Sequence, residues 1–293
     1  MRVTQGMLAS NSLRNLSNSY TQMGKYQDQL ATGKKITKPS DDPVVAMKGM
    51  YYRSNLSEVE QYKRNLSEAY LWMENSEAGV EHVNEALQRV RELTVQGSNG
   101  TLSDSDKEAI AREIEQIKKE IMNVANTQVA GRYIFNGTNT SKPPVQDGGS
   151  GAPQVSLNTS DYSIEVSRGV SLKSNINPDN VFGQKMFDII QGIQETLSGT
   201  GTADLNNLLS DLDTQMDTIS AERSELGARY NRLEMIEARI DQQEVISTRI
   251  LSDNEDADLE RVIMDLTNQE SVHRAALSVG ARIIQPTLMD FLR

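Results

Sequence analysis

Residues 33–45 read GKKITKPSDDPVV, and this stretch separates two kinds of helical pattern. Before it lies a stripe of Ala9, Leu13, Leu16, Tyr20, Met23, Gln27 and Leu30. Its alternating steps of four and three residues are coiled-coil spacing, and Gln27 is the one strongly polar member. Gly33 ends that segment. Asp41 or Asp42 then offers a helix N-cap, with Pro43 suited to the first helical position. After Pro43 no proline occurs until Pro143, and none between Pro178 and Pro286. Proline costs about 3 kcal/mol inside a helix, so the two runs permit very long helices.

Both runs carry helical periodicity. Val59, Leu66, Tyr70, Met73, Val80, Val83, Leu87 and Val90 form one stripe. Gly97-Ser98-Asn99-Gly100 interrupts it, and Ser103 with Asp106 opens a further helix in capping-box style. Ile110, Ile114, Ile117 and Ile121 continue that helix, so an antiparallel helical hairpin is expected. From Leu205 a second long helix carries Leu209, Leu212, Met216, Ile219, Leu226, Tyr230, Leu233 and Ile240. Arg223 and Glu237 interrupt this stripe, which predicts polar contacts at their levels. A final helix over about 257–284 has apolar residues on two adjacent faces, a width that calls for more than one neighbour.

The middle of the chain is different. Tyr133-Ile134-Phe135 reads as a strand followed by the turn dipeptide Asn136-Gly137. Tyr162, Ile164 and Val166 alternate with polar residues, and Arg168-Gly169 turns the chain toward Val170 and Leu172. The expected fold is mainly α: a long antiparallel coiled-coil bundle from both chain halves, with a small β-rich insert. The expected division is 1–43 (terminal helix and joint), 44–130 with 204–253 (bundle), 131–203 (outer β-rich part with a short helix) and 254–293 (terminal helix).

The formal net charge is −11, with no concentrated basic run, which argues against general nucleic-acid binding. There is no cysteine, so disulfides and thiolate chemistry are excluded. No apolar stretch reaches the length of a membrane span, and the N-terminus lacks the layout of a cleaved signal peptide. His82 and His273 stand apart on helical patterns, without metal-ligand spacing. The acidic run Asp253 to Asp258 lacks the glycine and distal glutamate of a calcium loop, and reads as helix capping. No catalytic triad can be composed, and neither cofactor nor metal is expected. One apolar stripe cannot offset the entropy of ordering thirty terminal residues. The ends should therefore become fully ordered only when neighbours cover them.

Three segments carry a family resemblance. QLATGKKITKPSDDPV (29–44), RSELGARYNRLE (223–234) and EDADLE (255–260) are similar to signature segments of bacterial flagellins. MRVTQGM at the start, PSDDP (39–43) and GRYIFNGT (131–138) resemble the hook-associated branch of that superfamily more than filament flagellin. The resemblance implies a non-enzymatic structural role: a junction ring that adapts the hook-associated zone to the flagellin filament. It implies location outside the cell, in the flagellum, after type III export without a cleaved signal. The implied partners are the first hook-associated protein, flagellin, further copies of the chain, and a cytoplasmic export chaperone on the C-terminal helix, with no nucleic acid or membrane among them. The residues expected to meet partners are Leu13, Leu16, Tyr20, Met23 and Leu30, with Leu266, Leu277, Ile283, Ile284 and Leu288. The alternatives are a filament-forming flagellin and a helical scaffold whose β insert binds a ligand.

Overall fold

The computed structural model describes residues 5–99, 102–148 and 153–284. In chain order the elements are α1 (Gln5–Thr32), α2 (Pro43–Gly97), α3 (Asp104–Ala125), β1 (Gln128–Val129), β2 (Arg132–Tyr133), β3 (Val145–Gln146), β4 (Gln154–Val155), β5 (Ser163–Ser167), β6 (Val170–Lys173), α4 (Pro178–Phe182), α5 (Gln184–Leu197), α6 (Leu205–Glu255) and α7 (Leu259–Ile284). The fold is mainly α with small antiparallel strand pairs. Two compact units divide the chain: a terminal unit of residues 1–58 and 243–293, and a central unit of residues 59–242. The division falls inside α2 and α6, so each long helix serves both units.

The central unit is built on heptads. In α6 the buried apolar residues Leu212, Ile219, Leu226, Leu233 and Ile240 recur every seven positions, and in α2 Val59, Leu66, Met73, Val80 and Leu87 do the same. Sequences with this repeat keep one seam facing a partner helix. The two helices run antiparallel, as their cross-links show. Tyr70 donates to Glu237 at 2.7 Å, Arg223 to Glu77 at 2.6 Å, and Arg91 to Asp213 at 2.7 Å. Arg223 and Glu237 thus interrupt the apolar stripe because each meets a polar partner on α2. The expected capping box at Ser103 and Asp106 is present, and α3 packs on α5.

The strands form three two-stranded antiparallel hairpins. One sequence expectation is corrected here. The strand near 133 is only Arg132–Tyr133, joined to Gln128–Val129 by a turn at Ala130-Gly131, while Asn136-Gly137 forms the expected turn, closed by the Asn139 amide donating to the Asn136 carbonyl at 2.9 Å. Ile134 and Phe135 leave the strand to enter the core, and Phe135 fills the niche left by Gly79 on α2. The Asn136 side chain is used as a bridge: its Nδ2 donates to the Lys142 carbonyl and its Oδ1 accepts from the Asn158 amide. Gly137 is needed for its φ of 53°, and because a Cβ there would lie 2.2 Å from the Asn158 carbonyl oxygen. The β5–β6 hairpin follows the expected alternation, with Ile164, Val166 and Leu172 buried.

Aromatic and charged side chains bind the insert to α2 within this unit. Trp72 stacks on Tyr162 with ring centroids 4.8 Å apart, and the Arg132 guanidinium lies 5.4 Å from the Trp72 ring centre. Glu68 accepts from both Arg132 and Tyr162. The Arg132 hydrogen bond holds the Glu68 carboxyl below its ordinary range.

Candidate assembly surface

In the terminal unit α1 and α7 lie side by side and antiparallel. Ser19 faces Gln269 and His273, while Leu13 and Leu16 border Ala276, Leu277 and Gly280. The seam between them takes only Leu16 and Met23 from the apolar stripe read from the sequence. It runs along Ser12, Leu16, Ser19, Met23 and Tyr26 of α1, all partly or fully covered. On α7 it runs along Val262, Leu266, Gln269, His273, Ala276 and Gly280. At its centre the buried Ser19 hydroxyl accepts from Gln269 Nε2 at 3.0 Å and lies 3.2 Å from His273 Nδ1. The seam thus alternates larger apolar side chains (Leu16, Met23, Val262, Leu266) with polar and small ones. Other side chains of the stripe are left outside, with Leu13 57% and Tyr20 68% exposed.

Residues 33–45 form a joint with the end of α6 and the start of α7. Lys34 pairs with Asp256 in a single antiparallel bridge, flanked by backbone hydrogen bonds from Lys35 to Glu255 (2.7 Å) and from Ala257 to Gly33 (2.8 Å). Asp42 Oδ1 accepts from the amides of Val44 and Val45, capping α2 with Pro43 at its first position. Asp258 Oδ1 accepts from the Arg261 amide and caps α7. Glu255 is buried and accepts from Arg53 Nε at 2.7 Å and Lys34 Nζ at 3.2 Å. Burial pushes the Glu255 carboxyl up, but its hydrogen bonds to Arg53 and Lys34 outweigh this and hold it below its usual range. Gly49 makes room for it: a Cβ there would lie 2.4 Å from Glu255 Oε1. The acidic run is thus spent on capping and on one clasp. Among the described residues no group of three or more His, Cys, Asp or Glu side chains could hold a metal. No described helix is long and apolar enough to cross a membrane.

The residues singled out from the sequence separate into two sets. Leu13, Tyr20, Leu30 and Leu277 are exposed, and Leu16, Met23 and Leu266 are half-buried in the α1–α7 seam. Of Ile283 and Ile284 only the backbone is described, and Leu288 lies outside the described residues. Sequence reasoning missed two further exposed apolar groups in this unit. Val44, Met47, Met50 and Tyr51 lie on the first turns of α2, and Val245, Ile246 and Ile250 near the end of α6. The signal was present as short apolar runs wider than one helix face. In all, seventeen of the twenty large apolar side chains exposed among the described residues belong to the terminal unit. A surface of that kind marks an interaction site.

Two family models match the chain: the bacterial flagellin N-terminal helical region over residues 3–140 and the bacterial flagellin C-terminal helical region over residues 209–292. The chain belongs to the flagellin family. It is 26% identical over 302 residues to flagellar hook-associated protein 3 of Escherichia coli, covering 94% of this chain and 95% of that protein. It is 33% identical over 145 residues to the protein of the same name in Salmonella typhimurium, covering 49% of this chain and 46% of that one. The solved flagellar junction protein of Legionella pneumophila superposes with a TM-score of 0.59 at 16% identity, over 71% of this chain and 99% of that one. That likeness concerns the fold.

Proposed function

We propose that this chain is a flagellar junction component that joins the hook-associated zone to the flagellin filament through its terminal unit. Similarity along nearly the full length of a hook-associated protein 3 supports the flagellar role. The observation that carries the mechanism is the concentration of uncovered apolar side chains on α1, α7 and the adjoining ends of α2 and α6. Apolar area removed from water contributes roughly 25 cal/mol per Å², so these faces are stabilised most when neighbouring subunits cover them. Leu13, Tyr20, Leu30 and Leu277 are the first contacts on this reading, with Leu16, Met23 and Leu266 supporting them from the seam. Ile283, Ile284 and Leu288 extend the proposed surface toward the C-terminus.

The partners on this reading are the first hook-associated protein on one side, flagellin on the other, and further copies within a ring. A cytoplasmic chaperone would cover the α7 face until export. Antibody labelling of intact flagella tests the proposal: one spot between hook and filament is expected, and labelling along the whole filament would assign the chain to filament flagellin instead. Leu13→Asp with Leu277→Asp should remove the spot while the purified variant keeps its central-unit fold by circular dichroism.

A further inference from the structure

We infer that copies of this chain meet head to tail through the joint, the α2 face of one copy docking on the α6 face of the next. The inference rests on the assembly reading above and adds a specific self-contact to it. On α2, Val44, Met47, Lys48 and Tyr51 follow the i, i+3, i+4, i+7 spacing of one helix face, and all four are exposed. On α6, Ile246, Ile250 and Asp253 follow i, i+4, i+7, and all three are exposed. Each face is thus an apolar row with one charge, and the charges are opposite in sign. The two faces cannot meet within one copy. The side of α2 turned toward the end of α6 carries Val45, Gly49 and Arg53: Asn254 donates to the Val45 carbonyl, Glu255 fills the space above Gly49, and Arg53 reaches Glu255 from the exposed edge. The outer rows therefore point elsewhere.

The occupant is a second copy for two reasons. First, charge is distributed to allow it. The terminal unit holds thirteen Lys and Arg and thirteen Asp and Glu residues, while the central unit carries the whole net charge of −11. Copies repel one another through their central units and meet without net repulsion at their terminal units. Second, within the terminal unit the signs are segregated. Residues 33–58 carry five basic and three acidic residues, and residues 243–258 carry one basic and five acidic. Lys34 and Arg53 pair with Glu255 within one copy and Asp42 and Asp258 cap helices, so the complementarity offered to the next copy is that of exposed Lys48 on one edge of the joint with exposed Asp253 on the other. Because the two surfaces differ, the contact is heterologous and repeats, as a ring requires, rather than closing as a two-fold dimer. Met47 and Met50 suit such a contact, since flexible thioether side chains fit neighbours that are not identically placed.

The absence of cysteine makes a direct test available. The full chain carrying Lys48→Cys and Asp253→Cys together is expressed in place of the native chain, and isolated flagella are oxidised. Expected is a ladder of reducible dimers, trimers and higher species, absent from each single variant. Dimers alone would overturn the head-to-tail contact, as would no cross-link in flagella that contain the chain. Absence of the double variant from the flagellum, with the single variants present, would also overturn it. Absence of the unmodified chain from the flagellum would instead overturn the assembly reading. Charge reversal gives a second measurement without oxidation. Lys48→Asp or Asp253→Lys alone should lower the amount retained in flagella several-fold, and the double variant should restore it. Unchanged retention in both single variants would reject the contact.

Discussion

The central and terminal units are made from the same two long helices and treat apolar residues in opposite ways. Among the described residues, thirty-six of the thirty-seven buried hydrophobic side chains lie in the central unit, and Val262 is the one in the terminal unit. The exposed large hydrophobics are distributed the other way. The central helices have α3, α5 and three hairpins to cover their seam, so their heptads close on partners within the chain. In the terminal unit α1 and α7 have chiefly each other, and they meet along a narrow seam in which Leu16, Met23, Val262 and Leu266 are interspersed with serine, glutamine, histidine and small residues. What distinguishes a core from an assembly face here is the number of neighbours a stripe has, not the stripe itself.

The largest effect should follow from breaking the side that is complete. Phe135 is 1% exposed and packs on Phe182, with ring centroids 4.7 Å apart. Phe135→Ala should destabilise the central unit by about 3–5 kcal/mol, the usual cost of an aromatic cavity. Trp72 is the one tryptophan of the chain and lies in this unit, so its fluorescence in denaturant titrations reports the loss. A change below about 1 kcal/mol would mean that the Gly79 niche collapses around the cavity.

A smaller effect is expected at the joint, where pH replaces mutation. The Glu255 carboxyl titrates lower in the folded chain than in the unfolded one. Its contribution is therefore present above the unfolded value and is lost as pH falls through the folded one. Protection of joint amides against hydrogen exchange should weaken below about pH 4, the ordinary range for a glutamate. Glu255→Gln should show the weaker protection already at neutral pH. Equal protection of the two proteins at pH 7 would show that Arg53 and Lys34 do not hold the joint.

How much of this was legible beforehand follows the same division. The long helices, the capping box at Ser103, the cap at Pro43 and the polar levels at Arg223 and Glu237 are local or periodic features, and the sequence displays them directly. The strand expected over Tyr133-Ile134-Phe135 ends at Tyr133, because burial, with Phe135 against Gly79 and Phe182, takes Ile134 and Phe135 out of the ladder despite their strand propensity. The α1–α7 seam was unreadable for a different reason. Periodicity locates the most apolar stripe, and here the intramolecular contact is rotated toward one edge of it, keeping Leu16 and Met23 and adding Ser12, Ser19 and Tyr26. Ser19 and His273 carry no apolar signal, so only their approach in space identifies them. The Glu255 clasp joins residues about two hundred positions apart, a distance at which no spacing rule operates.

Between the extremes lies Tyr70. Its hydroxyl donates to Glu237, and its ring meets Tyr230 edge-on at 5.3 Å. Burial first, then the hydrogen bond to Glu237, push the Tyr70 hydroxyl well above its ordinary value, so it stays a protonated donor. Tyr70→Phe keeps the ring contact and removes the hydrogen bond, which should cost about 1 kcal/mol in the same fluorescence titration. A loss of 3 kcal/mol or more would place this polar level among the main supports of the central unit.

The smallest effect on stability should come from Leu277, one of the residues proposed to serve assembly. Leu277 is 46% exposed and borders the shallow groove against Ser12, Leu13 and Leu16. Substitutions at exposed positions away from special contacts usually stay within about 0.5 kcal/mol, so Leu277→Ala should leave the isolated chain's denaturation midpoint nearly unchanged. In the flagellum the same side chain would be covered from a second direction, and removing it would take away contacts that the monomer never made. A variant that unfolds like the native chain yet is retained poorly at the junction would place the stabilising partner of this stripe outside the molecule. If Leu277→Ala instead destabilises the monomer by 2 kcal/mol or more, α1 and α7 form a core of their own, and the contrast between the two units is one of degree.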